Sequence, residues 1–153
     1  MSGVELGFVA GNKDLVRWLK QKSKPYVFSS SPAPALVAAA HQALTSCEQD
    51  SKKRELLQEK VNHFRKGLRE AGLRLIKSDH PIVGIISNDA VKTQRMIDSL
   101  FDESVFTVGL CYPVVPKGFA RICCNVTVNH TYEQLDAAIA AFHKVAQKHQ
   151  KKK

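Results

Sequence analysis

The clearest pattern of apolar and polar positions lies between residues 50 and 71. Four large apolar side chains recur there at helical spacing beneath a charged outer face, namely Leu57, Val61, Phe64 and Leu68. This spacing predicts an amphipathic helix whose apolar stripe packs against a core. Gly72 follows the last apolar position and predicts the C-cap, because glycine adopts the left-handed conformation that commonly ends a helix.

Shorter patterns follow this helix. β-prone runs predict four strands, over residues 73–77, 82–87, 106–110 and 120–128. Helical spacing predicts one helix at about residues 91–101 and a last one over residues 132–148. The order helix, strand, strand, helix, strand, strand, helix predicts an α+β fold, in which a mixed or antiparallel sheet carries helices on one face.

The first part of the chain has a different organisation. Residues 4–10 predict a short strand, and a helix is expected to begin at Asn12, with four apolar side chains facing inward: Leu15, Val16, Trp18 and Leu19. Residues 24–34 concentrate proline and serine, which indicates a linker, and the alanine-rich residues 35–44 predict a helix packed on several sides.

A strand and helix with no neighbouring strand nearby in sequence indicate a sheet that lies upstream. We therefore interpret residues 1–30 as a remnant of a larger domain and residues 31–153 as a small C-terminal domain. A chain of 153 residues is long enough for one domain with a core and short for two.

The formal net charge of +9 does not by itself indicate a nucleic-acid partner. The basic residues are spread over amphipathic stretches, apart from a lysine-rich end at residues 148–153, and aromatic residues do not alternate with them as in stacking platforms. No apolar run approaches the roughly 20 residues that a membrane helix needs. The N-terminal sequence resembles neither a secretory signal nor a mitochondrial transit peptide. We expect neither nucleic acid nor membrane as a partner.

The four cysteines predict reduced thiols. Cys47, Cys111, Cys123 and Cys124 show no CxxC pair and no other metal-ligand spacing, so we expect neither a metal site nor a disulfide framework. Adjacent residues of a strand point to opposite faces, which predicts that the Cys123 and Cys124 side chains diverge.

A proline-rich segment, Tyr112-Pro-Val-Val-Pro-Lys-Gly, is expected to form an extended loop that ends in a tight turn and borders a site. Lys117 in that turn is expected to be solvated, which does not suit a Schiff-base lysine. Further along, Thr131 and Gln134 have the spacing of a capping box, so we interpret His130 as the residue preceding a helix rather than as a catalytic base.

Several segments together resemble the C-terminal part of the α-oxoamine synthases, pyridoxal-phosphate (PLP) enzymes that condense an amino acid with an acyl-CoA. The segments that carry the resemblance are Trp18-Leu-Lys-Gln-Lys-Ser-Lys-Pro-Tyr, Asp79-His-Pro-Ile, Tyr112-Pro-Val-Val-Pro-Lys-Gly and Ala120-Arg-Ile. The resemblance implies the small domain of a fold-type I PLP enzyme. The Val-Val-Pro-Lys-Gly core favours the glycine C-acetyltransferase branch, which makes 2-amino-3-ketobutyrate from glycine and acetyl-CoA in threonine breakdown.

The resemblance also implies site residues. Ser29 and Ser30 match a segment that crosses the dimer interface and donates to the cofactor phosphate of the other subunit; the alternative is a serine-rich turn that caps the following helix. Cys123 occupies the position of the family arginine that binds the substrate carboxylate, and a thiol cannot replace a guanidinium. Arg121 lies about 6 to 7 Å along the same strand face, and we interpret it as a structural or interface arginine.

No catalytic residue is assigned to this chain. The resemblance places the Schiff-base lysine before Met1, so PLP is not expected to attach covalently to these 153 residues. We therefore expect a partial acyltransferase subunit that is inactive alone and dimerises with a full-length subunit. The alternatives are a non-catalytic partner that completes the PLP site of such a subunit, and a basic interaction protein. The family implies a mitochondrial location in eukaryotes and a cytoplasmic one in bacteria.

Overall fold

A computed structural model describes residues 6–150, without the side chain of Gln150, and divides the chain into two compact units. The N-terminal unit extends to Ser51 and the C-terminal unit begins at Lys52. This division follows contacts within the chain, and the domain boundary after residue 30 stays a prediction.

The N-terminal unit consists of three helices, α1 (Lys13–Lys22), α2 (Lys24–Val27) and α3 (Pro34–Gln49). The predicted start of α1 is confirmed, because the Asn12 side chain accepts a hydrogen bond from the Leu15 amide at 2.8 Å. The expected linker contains the short helix α2, which begins with a proline in its first turn.

The predicted strand over residues 4–10 is wrong for residues 6–10, which form no regular element, and residues 4 and 5 lie outside the described residues. A strand needs a partner to pair with, and the described part of this unit contains only helices. The prediction that the apolar residues of α1 face inward is also wrong in part: Leu15 and Trp18 are 46% and 64% exposed.

Apart from Ser51, which opens its first helix, the C-terminal unit contains three helices and three strands in the order α4 (Ser51–Glu70), β1 (Ile82–Ile86), α5 (Ala90–Asp102), β2 (Val108–Leu110), β3 (Arg121–Asn125) and α6 (Tyr132–Gln150). The strand order is β1-β3-β2, and β3 pairs antiparallel with both neighbours. The predicted α+β fold is confirmed, with a fully antiparallel sheet. The predicted C-cap is also confirmed, because Gly72 has a φ of 78°.

The predicted strand over residues 73–77 is reduced to one isolated bridge between Leu75 and Ile85. Its neighbours still bond β1, since the Ile76 amide donates to the Gly84 carbonyl at 2.8 Å and the Ile86 amide donates to the Arg74 carbonyl at 2.8 Å. The segment therefore closes the free side of β1 without extending the sheet by a full strand.

The core lies between α4, α5 and α6 and the inner face of the sheet. The largest fully buried side chain is Phe142, which meets Phe64 in an edge-to-face contact with ring centroids 6.4 Å apart. The inner face contributes four buried side chains: Val83, Ile85, Ile122 and Cys124. Because alternate strand residues face opposite sides, Arg121 and Cys123 form an outer face together with the strand residues paired with them.

Candidate functional site

The outer face of the sheet holds the position at which the resemblance implies the carboxylate-binding arginine of the family. Cys123 lies at its centre, paired with Gly84 of β1 and Val108 of β2. Arg121 precedes it on the same face, paired with Ile86 and Leu110. The prediction that the two adjacent cysteines diverge is confirmed, since Cys124 belongs to the core cluster. A substrate that reached position 123 would meet a thiol and a largely apolar surface.

The two strand thiols differ in their surroundings. Burial raises the pKa of the Cys123 thiol, and the positive charge of Arg121 opposes this effect. Burial raises the pKa of Cys124 to about 12, and the neighbouring Cys123 contributes in the same direction. Both thiols are therefore protonated at neutral pH, which does not favour a role for either as a nucleophile.

We expect Cys124 to resist alkylation in the folded protein. Cys47 is exposed, whereas Cys124 is buried and has a raised pKa. Because the thiolate is the reactive species, iodoacetamide at mildly alkaline pH should modify Cys47 at least about tenfold faster than Cys124. Peptide mass spectrometry after timed quenching measures both rates. In denaturant the two rates should converge, and equal rates in the folded protein would contradict the described burial.

The proline-rich loop beside this face is a turn rather than the extended segment that the sequence predicted. The Val114 and Val115 amides both donate to the Cys111 carbonyl, at 2.9 and 3.2 Å, and the Tyr112–Pro113 peptide bond is cis. The prediction of extended structure failed because the two valine amides find a local acceptor. The predicted tight turn at Gly118 is confirmed by its φ of 82°.

Lys117 is exposed, as predicted, and its ammonium lies 5.2 Å from the centroid of the Tyr112 ring. This cation–π contact lies on the surface of the loop.

Asn88 is a residue of this region that sequence reasoning missed. In the amide orientation that satisfies both neighbours, its nitrogen donates to the Gly118 carbonyl at 3.1 Å and its oxygen accepts from Arg74 at 2.7 Å. The backbone amides of Ser87 and Asn88 both donate to the Ala120 carbonyl at 3.0 Å. These bonds fix the end of the proline-rich loop to the end of β1. The available signal was the Ser-Asn-Asp run after a β-prone segment, which is typical of a turn.

The capping box before α6 is confirmed. The Thr131 amide donates to the Gln134 side chain at 2.9 Å, and the Gln134 amide donates to the Thr131 hydroxyl at 3.2 Å. The ring of His130 accepts a hydrogen bond from the Thr127 amide at 3.1 Å. This local contact agrees with the interpretation of His130 as a structural residue.

Ser29 and Ser30 lie in the N-terminal unit, exposed to solvent between α2 and α3. The alternative that this serine-rich segment caps the next helix is not supported, because the N-cap of α3 is Ala33 and no side chain bonds that terminus. Within residues 6–150 neither hydroxyl has an intramolecular hydrogen bond. Two hydroxyls of this kind suit the oxygens of a phosphate, so the donor set fits the phosphate of PLP. When bound, PLP supplies an electron sink for a carbanion.

Two further classes of site are absent from the part of the chain that the structure describes. No group of three or more histidine, cysteine, aspartate or glutamate side chains is arranged to hold a metal ion. No described helix combines the length and the apolar character that crossing a bilayer requires.

Comparison with known proteins gives a consistent result. The model of the aminotransferase class I and II family matches residues 1–142. The 2-amino-3-ketobutyrate coenzyme A ligase of Escherichia coli K12 is 39% identical over 145 residues, which are 95% of this chain and 36% of that protein. The 8-amino-7-oxononanoate synthase of Symbiobacterium thermophilum is 41% identical over 143 residues, 94% of this chain and 36% of that protein.

Among solved structures, serine palmitoyltransferase from S. paucimobilis with a bound PLP–myriocin aldimine matches with a TM-score of 0.76 and 23% identity. The match covers 86% of this chain and 34% of that one. The fold is thus shared with PLP enzymes of fold type I, and the chain spans about a third of the length of the curated relatives it matches. The predicted resemblance to the α-oxoamine synthases is confirmed.

Proposed function

Because this chain belongs to the aminotransferase class I and II family, we propose that it is the C-terminal part of a glycine C-acetyltransferase-like subunit. The complete subunit would use PLP to condense glycine with acetyl-CoA. The observation that carries the proposal is the 39% identity with the Escherichia coli ligase over 95% of this chain. The fold shared with serine palmitoyltransferase, at a TM-score of 0.76, agrees with it.

The choice of the glycine C-acetyltransferase branch rests on a short segment. The ligase and the oxononanoate synthase match this chain with similar identity, 39% and 41%, so overall similarity does not separate them. The Val-Val-Pro-Lys-Gly core of the proline-rich loop favours the first. Its Val115 is buried, whereas Val114 and Lys117 are exposed, which leaves the loop able to contact a substrate at its tip.

The proposal includes a dependence on a further subunit. The N-terminal unit exposes several large aromatic side chains, of which Trp18, Tyr26 and Phe28 are 64%, 62% and 82% exposed. Exposed apolar patches of this kind mark surfaces that another protein part covers. Ser29 and Ser30 follow these aromatics directly, and we propose that they donate to the PLP phosphate of the other subunit in a dimer. A non-catalytic partner role would use the same surface.

We also propose that the 153-residue chain is inactive alone and that Cys123 contributes to this by replacing the carboxylate-binding arginine. A chimera tests the second part. In a chimera, this chain replaces the matched 145 residues of the Escherichia coli ligase, with either cysteine or arginine at position 123. Restoring the guanidinium with Cys123→Arg should raise kcat/KM for glycine by about thirtyfold, because a charge-assisted bidentate contact contributes about 2 kcal/mol. Steady-state assays with glycine and acetyl-CoA measure the change.

A matched control places arginine at another cysteine. Cys47 lies on the exposed surface of α3, so Cys47→Arg should leave kcat/KM for glycine unchanged. If Cys123→Arg gave no gain while the chimera remained folded and bound PLP, position 123 would not be the carboxylate site. A chimera that preferred longer acyl-CoA substrates over acetyl-CoA would move the proposal to another branch of the family.

A further inference from the structure

Arg121 occupies an unusual position on the outer face of the sheet. It is the first residue of the central strand β3, and it lies between Ile86 of β1 and Leu110 of β2. Among the paired positions of the three described strands it is the one charged side chain. It is also partly buried, and the Nε atom of its guanidinium is inaccessible to solvent.

The guanidinium has no protein partner within residues 6–150. Its Nε atom is buried and makes no hydrogen bond. Buried donors in native proteins are nearly always paired, and the Nε–H of Arg121 is a buried donor that is not. It belongs to a planar fork that also carries the two terminal nitrogens. An unpaired fork on an apolar face is therefore a position at which an acceptor from outside this unit would be stabilised.

No charged side chain stands at the strand positions paired with Arg121. The nearest titratable group on this face is the Cys123 thiol, whose pKa is raised by burial in spite of the opposing effect of Arg121. The thiol is thus neutral near pH 7. The other neighbours on the strands, Ile86 and Leu110, carry no charge. Among the paired strand positions, this face accordingly offers one positive charge, that of Arg121.

This arrangement favours a carboxylate over a phosphate. A carboxylate has one negative charge and two oxygens in a plane, which match one guanidinium charge and the geometry of its fork. A phosphate carries nearly two charges at neutral pH, and leaving one of them beside isoleucine and leucine would be costly. The apolar flanks also suit the carbon chain to which a carboxylate is attached.

We propose that Arg121 forms a carboxylate-binding site on the outer face of the sheet, separate from position 123 by about 6 to 7 Å along β3. The sequence interpretation gave Arg121 a structural or interface role, and the structure adds that its buried Nε–H makes no hydrogen bond. The carboxylate comes either from a small organic acid or from an acidic side chain of a second protein molecule. The site does not require the proposed acyltransferase function.

The test follows the Arg121 Nε–Hε resonance of the ¹⁵N-labelled 153-residue chain by NMR. Sodium acetate is added, and sodium chloride at equal ionic strength is the control. We expect a saturable shift with acetate that chloride does not reproduce. The Ile86 and Leu110 amides flank the site, so their resonances should shift at the same acetate concentrations. These amides also report on variants that lack the Arg121 resonance.

Three substitutions distinguish acetate binding by the planar guanidinium from attraction by its positive charge alone. Arg121→Gln should abolish the acetate response of the two flanking amides, and Arg121→Lys should weaken it by about tenfold, because lysine keeps the charge without the bidentate geometry. Arg95→Gln removes a positive charge from the exposed surface of α5 and should leave the response unchanged. If Arg121→Gln unfolded the chain, the response of the wild-type Arg121 Nε–Hε resonance to acetate and chloride would still support or overturn the proposal.

The same titration at low and high chain concentration distinguishes the two sources. A response that is independent of chain concentration indicates a site open to small acids. Association that depends on Arg121 and is released by acetate indicates a carboxylate from a second copy, and also supports the site. An absent response, an equal response to chloride, or an unchanged response in Arg121→Gln would overturn the proposal. None of these outcomes alters the result of the chimera at position 123, which tests the proposed function separately.

Discussion

Replacing Phe142 with alanine is expected to lower the free energy of unfolding of the C-terminal unit by about 4 kcal/mol. Phe142 has no exposed surface, and its ring lies on α6 where it contacts Phe64 of α4. The substitution removes a large apolar side chain from a close-packed core, leaves a cavity and ends the edge-to-face ring contact. Since small domains have net stabilities of about 5–15 kcal/mol, this loss is a large part of the total.

The measurement should report on the C-terminal unit alone. The single tryptophan, Trp18, lies in the N-terminal unit, so its fluorescence does not follow this core. Amide hydrogen exchange of β1 and β3 in increasing urea does, because these strands line the core. Phe101→Ala is the matched control: the side chain lies on α5, is 66% exposed, and should cost less than about 0.5 kcal/mol. Equal losses for the two variants would contradict the described core.

Replacing Lys60 with methionine is expected to lower the free energy of unfolding by about 3 kcal/mol. The Lys60 side chain is 8% exposed, and its ammonium donates to the Val128 carbonyl at 2.7 Å and to the His130 carbonyl at 2.6 Å. Methionine preserves most of the apolar stem but leaves both carbonyls without their donor. The turn that leads into α6 should therefore loosen, together with the capping box at Thr131.

Lys66→Met provides the control for Lys60→Met, because it is the same substitution on the exposed side of α4. The Lys66 ammonium lies 4.0 Å from the Glu70 carboxylate, with 77% of its side chain exposed, so its loss should cost about 0.5 kcal/mol or less. Urea unfolding of the two variants, followed by circular dichroism, gives the difference. If Lys60→Met were as stable as Lys66→Met, the two hydrogen bonds to the turn would contribute nothing measurable.

These core contacts also affect the outer face of the sheet, because β3 contributes residues to both faces. Its inner residues, Ile122 and Cys124, are buried in the core, and its outer residues, Arg121 and Cys123, form the candidate sites. Because the two sets alternate along one strand, the packing that holds the first set also fixes the spacing of the second. A weakened core should therefore disturb ligand binding on the outer face even where no ligand-contacting residue has changed.

The sequence determined the features whose signals are local. The helical spacing of Leu57, Val61, Phe64 and Leu68 predicted α4, because a period of 3.6 residues places such side chains on one face wherever the rest of the chain lies. The capping box of Thr131 and Gln134 and the turn at Gly118 were predicted for the same reason, since a few adjacent residues carry each. Short motifs similarly sufficed to identify the family.

Tertiary structure alone decided what depends on distant partners. The same charged pattern that placed lysines on the surface of α4 gave no sign that Lys60 is buried against carbonyls 68 and 70 residues away. The β-prone residues 6–10 form no strand, because a strand needs a second strand to pair with. The segment around Leu75 forms one isolated bridge to β1 and no longer ladder. That the Arg121 fork lacks an acceptor likewise follows from the sheet as a whole, since periodicity fixes the face of a side chain but not what meets it there.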